Sequence, residues 1–468
     1  MPGPTKTKAG VCASQATAEN YGLHAGVLGP FETLAQSVST IAPSTSPCLL
    51  IPLVFALAGN ATWFVYLLAT GATLLVGFCV SRFARLTASP GSLYTFTANT
   101  LPPVFGATAA WGLLFAYVAS GASAVGGALY FASVLSRQFF HSAPSALPTL
   151  ALVCVLAAGI AYRDVKLSAN LMLWIETASV SLILILLALV LVHFGLHLDL
   201  DQLRLKGALI PALGPALVLS MLSFVGFESA TTLGAEARDP LRTIPRVVLQ
   251  CAILSGAFFM LCSYSEVLGF RGESGKLTDS TSPLHLLAAK VGISPLGVAI
   301  DFGALLSMFA CVLASITAAS RVFMRVAHAG LLPAALERTN RRHGTPGLAI
   351  ALSAGLMLSG TAAMGLCSMT GSDMIDLLGS LAVLGFLTAY ALVAAALPFA
   401  RYALGQHSHR IAAISVVTVV VMILILVFEL TSASDPAHAR IPYIYLVYLT
   451  LGIAWYMVKR KRDALAVS

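Results

Sequence analysis

The chain has 468 residues, of which 58% are hydrophobic and only 10% charged, with a mean hydropathy of +0.88. A soluble domain carries about 25% charged residues, so this composition excludes one and points to a membrane protein. The net charge of +8 does not indicate a nucleic-acid partner, because the basic residues sit at the ends of apolar runs, on alternate loops.

The first 25 or so residues are polar, contain Lys6 and Lys8, and lack the charged, apolar and small-residue pattern of a signal peptide. They are expected to stay in the cytoplasm. Twelve apolar spans follow, at about 31–58, 61–82, 104–136, 148–163, 168–194, 211–235, 244–270, 295–326, 347–369, 373–400, 411–430 and 441–459. The runs are continuous and long enough for membrane helices, and do not alternate as barrel strands would. With the N-terminus inside, 20 of the 27 Lys and Arg fall on the cytoplasmic side and 7 on the other. That asymmetry supports the count and places both termini in the cytoplasm. The fold class is therefore an all-α polytopic membrane protein of 12 transmembrane helices, embedded in the lipid bilayer of the cytoplasmic membrane.

The first span contains Ala42-Pro-Ser-Thr-Ser-Pro47. Pro43 and Pro47 lack a backbone N–H, so the carbonyls near Ser39 and Pro43 lose helical partners. Ser44, Thr45 and Ser46 add hydroxyls to those free carbonyls at mid-membrane. The resumed helix points its positive end at the same place. The sixth span holds a second weak point, Phe224-Val-Gly-Phe-Glu228. Two interrupted helices at equivalent positions of two halves are the sequence sign of an inverted-repeat transporter. Ile41, Ala42, Pro43, Ser44, Thr45 and Ser46, with Phe224, Val225, Gly226 and Phe227, are the candidate solute-binding residues. Phe224 and Phe227 either close over a solute or pack in the core.

Acids inside a span are costly and mark solute or ion pathways. Glu228 and Glu176, the latter in the fifth span, are candidates for ion or proton coupling; each alternatively bonds orphan backbone amides. Asp301 and Asp376 are shallower and are expected to cap helices or line a vestibule. Span eight carries Ser315 as a candidate hydroxyl of an ion site. Seven of the eight cysteines lie in apolar runs, without disulfide or Cys-x-x-Cys spacing, and read as packing residues. There is no metal-ligand cluster and no nucleophile–base motif, so no enzyme activity, metal or cofactor is expected.

These residues resemble the amino acid–polyamine–organocation transporter family, in its amino acid permease type. The resemblance is carried by Phe224-Val-Gly-Phe-Glu228 with Glu236-Ala-Arg-Asp-Pro240 and Ile244-Pro-Arg246, by Pro90-Gly-Ser-Leu-Tyr94, and by Ser320-Arg321 through Gly330-Leu-Leu-Pro333 and Arg342-His-Gly-Thr-Pro346. Asp376-Leu-Leu-Gly-Ser380, Tyr390 and Arg401 complete it. It implies a leucine-transporter-type fold, with five plus five helices in inverted repeat, discontinuous helices 1 and 6, and two peripheral helices. The divisions are then a cytoplasmic segment 1–30, a transport core 31–400 (repeats 31–194 and 211–400), peripheral helices 411–459 and a basic tail 460–468. It further implies a solute held between helices 1 and 6, with helices 3, 8 and 10 contributing. The break in helix 1 departs from the Gly-rich form common in the family. Fewer glycines leave less room for close backbone approach, so a different amino acid, or an amine without a carboxylate, is an alternative to a standard α-amino acid. The loop between spans three and four has no cysteine, so no disulfide-linked heavy subunit is expected.

The expected function is a secondary active transporter for an amino acid or related amine, working by alternating access with proton-coupled uptake. Sodium is the alternative coupling ion. The alternatives in function are an amino acid or amine exchanger and a transport-deficient nutrient sensor on the same fold.

Overall fold

A computed structural model describes residues 21–194, 198–208, 210–406, 408–431 and 438–467. Residues 1–20 of the expected N-terminal segment lie outside them. The described residues are all-helical, apart from one isolated bridge between Leu28 and Ala237. Ten stretches are long and apolar enough to cross a membrane, and Pro211–Met221 is a shorter apolar helix.

The first apolar stretch is divided. Helix α1 (Pro30–Ile41) stops, a π turn covers Ser46–Leu50, and α2 (Ile51–Ala58) continues it. A 3-10 turn at Gly59–Ala61 leads to α3 (Thr62–Ala84). The short α4 (Ser92–Ala98) precedes α5 (Pro103–Phe140), α6 (Ala146–Arg163) and α7 (Val165–His193). After the one-turn α8 (Leu200–Leu203) comes α9 (Ile210–Met221), which gives way to turns and a 3-10 segment at Ser229–Leu233. Helix α10 (Pro240–Gly269) is followed by two short loop helices, α11 (Ser274–Asp279) and α12 (Pro283–Lys290). The last long helices are α13 (Ser294–His328), α14 (Gly347–Leu366), α15 (Gly371–Ala403), α16 (His409–Thr431) and α17 (Ile441–Val467). The short loop helices α4, α8, α11 and α12 have too little apolar periodicity to be read from the sequence.

Helices start where the chain chemistry allows. Proline occupies the first turn of α1, α5, α10, α12 and α13, where its missing N–H costs nothing. Thr370 and Asp373 cap α15 reciprocally.

Packing at the centre depends on small residues. The buried face of α5 carries Gly121, Ala122, Ser123, Ala124, Gly126 and Gly127 in near-continuous order. A Cβ at Gly385 of α15 would lie 2.7 Å from the Gly112 carbonyl oxygen of α5, and one at Gly371 would lie 2.6 Å from that of Gly126. Only glycine permits these backbones to approach so closely, the usual device for helix association in lipid. Bulky side chains such as Val416, Val420 and Leu424 of α16 and Leu451 of α17 point outward, where lipid replaces water.

One charged pair is sealed inside the bundle. Arg321 of α13 donates to both carboxylate oxygens of Glu236 at 2.7 Å, and to the Thr317 carbonyl at 3.0 Å. Both residues are buried. Glu236 lies in the loop after the 3-10 segment. The same loop pairs with the chain entering α1, through Leu28 N–H to the Glu236 carbonyl (3.1 Å) and Arg238 N–H to the Leu28 carbonyl (2.8 Å). Removing one partner of a buried pair strands the other charge, at a cost of about 3–5 kcal/mol. Arg321→Met should therefore lower the melting temperature of the purified protein strongly. The double variant Arg321→Met with Glu236→Leu should recover much of the loss. Equal loss in both would show that the pair is not a compensated unit.

Candidate functional site

The two predicted weak points are real interruptions, and they touch. Helix α1 ends because Ala42 turns left-handed (φ 50°, ψ 67°). Its N–H bonds the carbonyls of Val38 and Ser39 at 3.2 and 3.1 Å. The Ser39 carbonyl, expected to lose its partner, thus regains one from the cap. The three hydroxyls that follow divide. Ser44 leaves the break for α7, where its hydroxyl lies 2.6 Å from that of Ser179. Thr45 and Ser46 turn into the protein interior, and neither hydroxyl has a protein hydrogen-bond partner among the described residues although both are buried.

At the second interruption, α9 ends at Met221 and successive three-residue turns carry the chain to Ser229. The bonds are Phe224 N–H to the Met221 carbonyl (2.9 Å), Phe227 to Phe224 (3.2 Å) and Ser229 to Gly226 (2.9 Å). Gly226 takes φ +87°, and a Cβ there would sit 2.3 Å from Thr40 Cγ2. The second break therefore presses its backbone against the end of α1. Hydroxyls lock the contact: Thr40 and Ser229 lie 2.7 Å apart, Ser229 donates to the Gln36 carbonyl at 3.1 Å, and Ala230 N–H donates to Ser37 at 3.0 Å.

A cavity of about 50 Å³ lies at this junction. The first break lines it with Thr40, Ile41, Ala42, Thr45, Ser46 and Leu50, and the second with Leu222 and Val225. Ser120, Ser123 and Ala124 of α5, Met308 and Cys311 of α13, and Ile375, Gly379 and Ala382 of α15 complete the wall. Of the residues expected at the site, Ile41, Ala42, Thr45, Ser46 and Val225 are there. Pro43 and Ser44 face away, and Pro43 lines a separate groove together with Glu176. Phe224 packs on Tyr66 and Phe259, and Phe227 on Tyr390; neither lines the cavity. Gly226 contributes its backbone bend rather than lining. Ser315 lies one turn beyond Cys311 on α13, outside the wall.

The acids are held by side chains from distant helices. Glu228, fully buried, accepts from the Tyr117 hydroxyl of α5 at 3.0 Å and from the Tyr390 hydroxyl of α15. Tyr390 in turn accepts from the orphan N–H of Gly226 at 3.2 Å. One tyrosine thus satisfies both the bent backbone and the carboxylate. Glu176 accepts from Ser307 of α13, with distances of 3.1 and 2.9 Å to its two oxygens. Asp301 is buried, close to Ser282 (3.3 Å) and His285 (3.2 Å) at the start of α12, while Asp376 pairs with His438 at 3.1 Å.

The wall residues on α5 and α15 and Tyr117 are not singled out by the sequence, and Tyr390 stands out there only within the family resemblance, not as a partner of Glu228. The available signal was the run of glycine, alanine and serine at 119–128, which in lipid marks an interior face.

Substituting Gly226 tests the junction. A side chain at φ +87° costs about 1–2 kcal/mol from the backbone alone, and the clash with Thr40 adds to it. Gly226→Ala should lower the melting temperature, and Thr40→Ser, which removes the clashing methyl, should restore part of the loss. No rescue would mean that the two breaks are not in contact.

Residues 37–460 match the amino acid permease family. The chain is 23% identical over 307 residues to the branched-chain amino acid permease BcaP of Bacillus subtilis, covering 62% of this chain and 64% of that protein. It is 26% identical over 337 residues to BcaP of Lactococcus lactis, covering 68% and 71%. To the low-affinity putrescine importer PlaP of Escherichia coli it is 26% identical over 260 residues, 53% and 54% of the two lengths. With a match spanning residues 37–460, this chain belongs to the amino acid permease family.

Proposed function

We propose that the protein is a secondary active transporter that moves an amino acid or related amine across the cytoplasmic membrane by alternating access. The observation that carries this reading is a pair of buried hydroxyls, Thr45 and Ser46, that line a cavity between two interrupted helices and have no protein partner among the described residues. A buried polar atom without a partner is costly, so these groups suit a polar ligand. Family membership and the printed functions of the relatives support the same solute class.

In this reading α1 and the resumed helix from Ser46 are two parts of one span, α3 is the second, and α9 with the 3-10 segment is the sixth. The count is then twelve, with two inverted repeats of five and two peripheral helices. Both termini face the cytoplasm. The positive end of the resumed helix, with Thr45 and Ser46, receives a carboxylate or another acceptor on the solute. Carbonyls at the breaks receive its ammonium group. Where about 10–15 Å³ of such space holds a water, a cavity of about 50 Å³ has room for a few waters, so the site must widen to take the solute. Entry requires helices 1, 2, 6 and 7 to rock away from the α5, α13 and α15 wall. The Tyr117–Glu228–Tyr390 cluster ties helices 3, 6 and 10 on the cytoplasmic side of the cavity and separates when that side opens. Glu228 or Glu176 carries the coupling proton.

Radiolabelled uptake into proteoliposomes, across a panel of amino acids and amines, tests the reading. At least one solute should show saturable uptake. Thr45→Val and Ser46→Ala remove no protein hydrogen bond found among the described residues, and each removes a buried polar atom without such a partner, so neither should lower the melting temperature. Hydrogen bonds to a charged group contribute about 1.5–3 kcal/mol, so the double variant should weaken apparent affinity by tenfold or more. No saturable uptake or binding by folded protein would contradict the proposal. For coupling, Glu176→Gln or Glu228→Gln should keep exchange and lose pH-driven accumulation. Normal accumulation in both would remove the proton role from these acids.

A further inference from the structure

A third deep acid stands apart from the solute cavity. Glu266 lies one turn before the end of α10, is fully buried, and neither carboxylate oxygen has a protein hydrogen-bond partner among the described residues. Glu228 and Glu176, by contrast, are held by hydroxyls. The ionisable groups near Glu266 are Cys48 of the π turn, Cys262 one turn back on α10, and Tyr66 of α3. None is a cation, and the Tyr66 hydroxyl is already 3.3 Å from that of Ser223.

The basic side chains on α12 and just past the end of α10 are engaged elsewhere. Lys290 of α12 donates to the Gly269 carbonyl at 3.1 Å, pairs with Glu273 at 2.6 Å, and stands 4.4 Å over the Phe270 ring. His285 pairs with Asp301 at 3.2 Å. Arg271 pairs with Asp199 and Asp201. On the α7 side, Glu176 lies in the groove further down α10 and is itself an acid. Two thiols and a phenol do not make the oxygen shell that a hard cation needs. No group of three or more His, Cys, Asp or Glu that could hold a metal occurs among the described residues.

An ionised carboxylate left unpaired in such a place costs several kcal/mol, and a group in that position is neutralised instead. The neutraliser left by these neighbours is a proton. Helix α12 closes over the end of α10, with Leu287 packed on Gly269 and Lys290 bonded to the carbonyl there. The other end of α12 is fastened to α13 through Ser282, His285 and Asp301.

We propose that Glu266 is a proton-binding site, distinct from the solute cavity, which holds its proton while α12 is fastened and exchanges it with water when α12 lifts. The proposal does not depend on which solute is carried.

Infrared difference spectroscopy of the purified full-length protein at neutral pH tests it without a transport assay. The wild type should show the carbonyl band of a protonated carboxyl group, shifted in heavy water. That band should be lost in Glu266→Gln and kept in both Glu176→Gln and Glu228→Gln. An identical spectrum for wild type and Glu266→Gln would overturn the proposal. A neutral isostere should also be tolerated, so Glu266→Gln failing to fold where Glu266→Asp folds would overturn it as well. Lys290→Ala should speed the deuterium shift of the band; an unchanged rate would overturn the role of α12.

Discussion

The structure depends on one constraint, that backbone amides and carbonyls inside a membrane must find partners within the protein. Interrupting two helices at the same depth violates the simplest solution to it. The chain answers by placing the interruptions against each other. Gly226 bends into contact with Thr40, the Tyr390 hydroxyl accepts from the Gly226 amide, and Ser37, Ser229 and Thr40 form the remaining bonds between the breaks. The hydroxyls of Thr45 and Ser46 have no protein partner among the described residues and lie beside a small cavity.

The long-range ties divide into two kinds with different consequences for motion. Glycine contacts between α5 and α15 are backbone against backbone, and such packing transmits displacement as a unit. The hydroxyl and carboxylate ties at Glu228, Glu176 and Glu236 are discrete, directional and breakable. In a transporter that alternates between two arrangements, the first kind suits a rigid wall and the second suits contacts that break and reform. The buried Arg321–Glu236 pair ties the loop after the second break to α13.

Hydropathy made the apolar helices legible, with ends within a few residues at most positions, although ten stretches among the described residues, not twelve, are long and apolar enough to cross a membrane. Both breaks were also legible, because Pro43, Pro47 and Gly226 act locally on the backbone. The rest was not, for a physical reason. In lipid the outward and inward faces of a helix are both apolar, so periodicity does not say which side chains meet. The sequence could not assign Tyr117 and Tyr390 to Glu228, nor divide Ser44 from Thr45 and Ser46, since these outcomes depend on helices more than 100 residues away. Glu266 sits near a span end, where an acid ordinarily faces water; here α12 covers that end.

Solute protection of a single thiol tests the central claim, that the solute occupies the junction between the two breaks. In a cysteine-depleted background, Thr45→Cys is labelled with a thiol reagent in proteoliposomes, with and without a solute that the protein takes up. The account predicts that the solute slows labelling at residue 45 and leaves labelling of a cysteine outside the junction unchanged. Equal labelling rates at residue 45, at solute concentrations that saturate uptake, would contradict it.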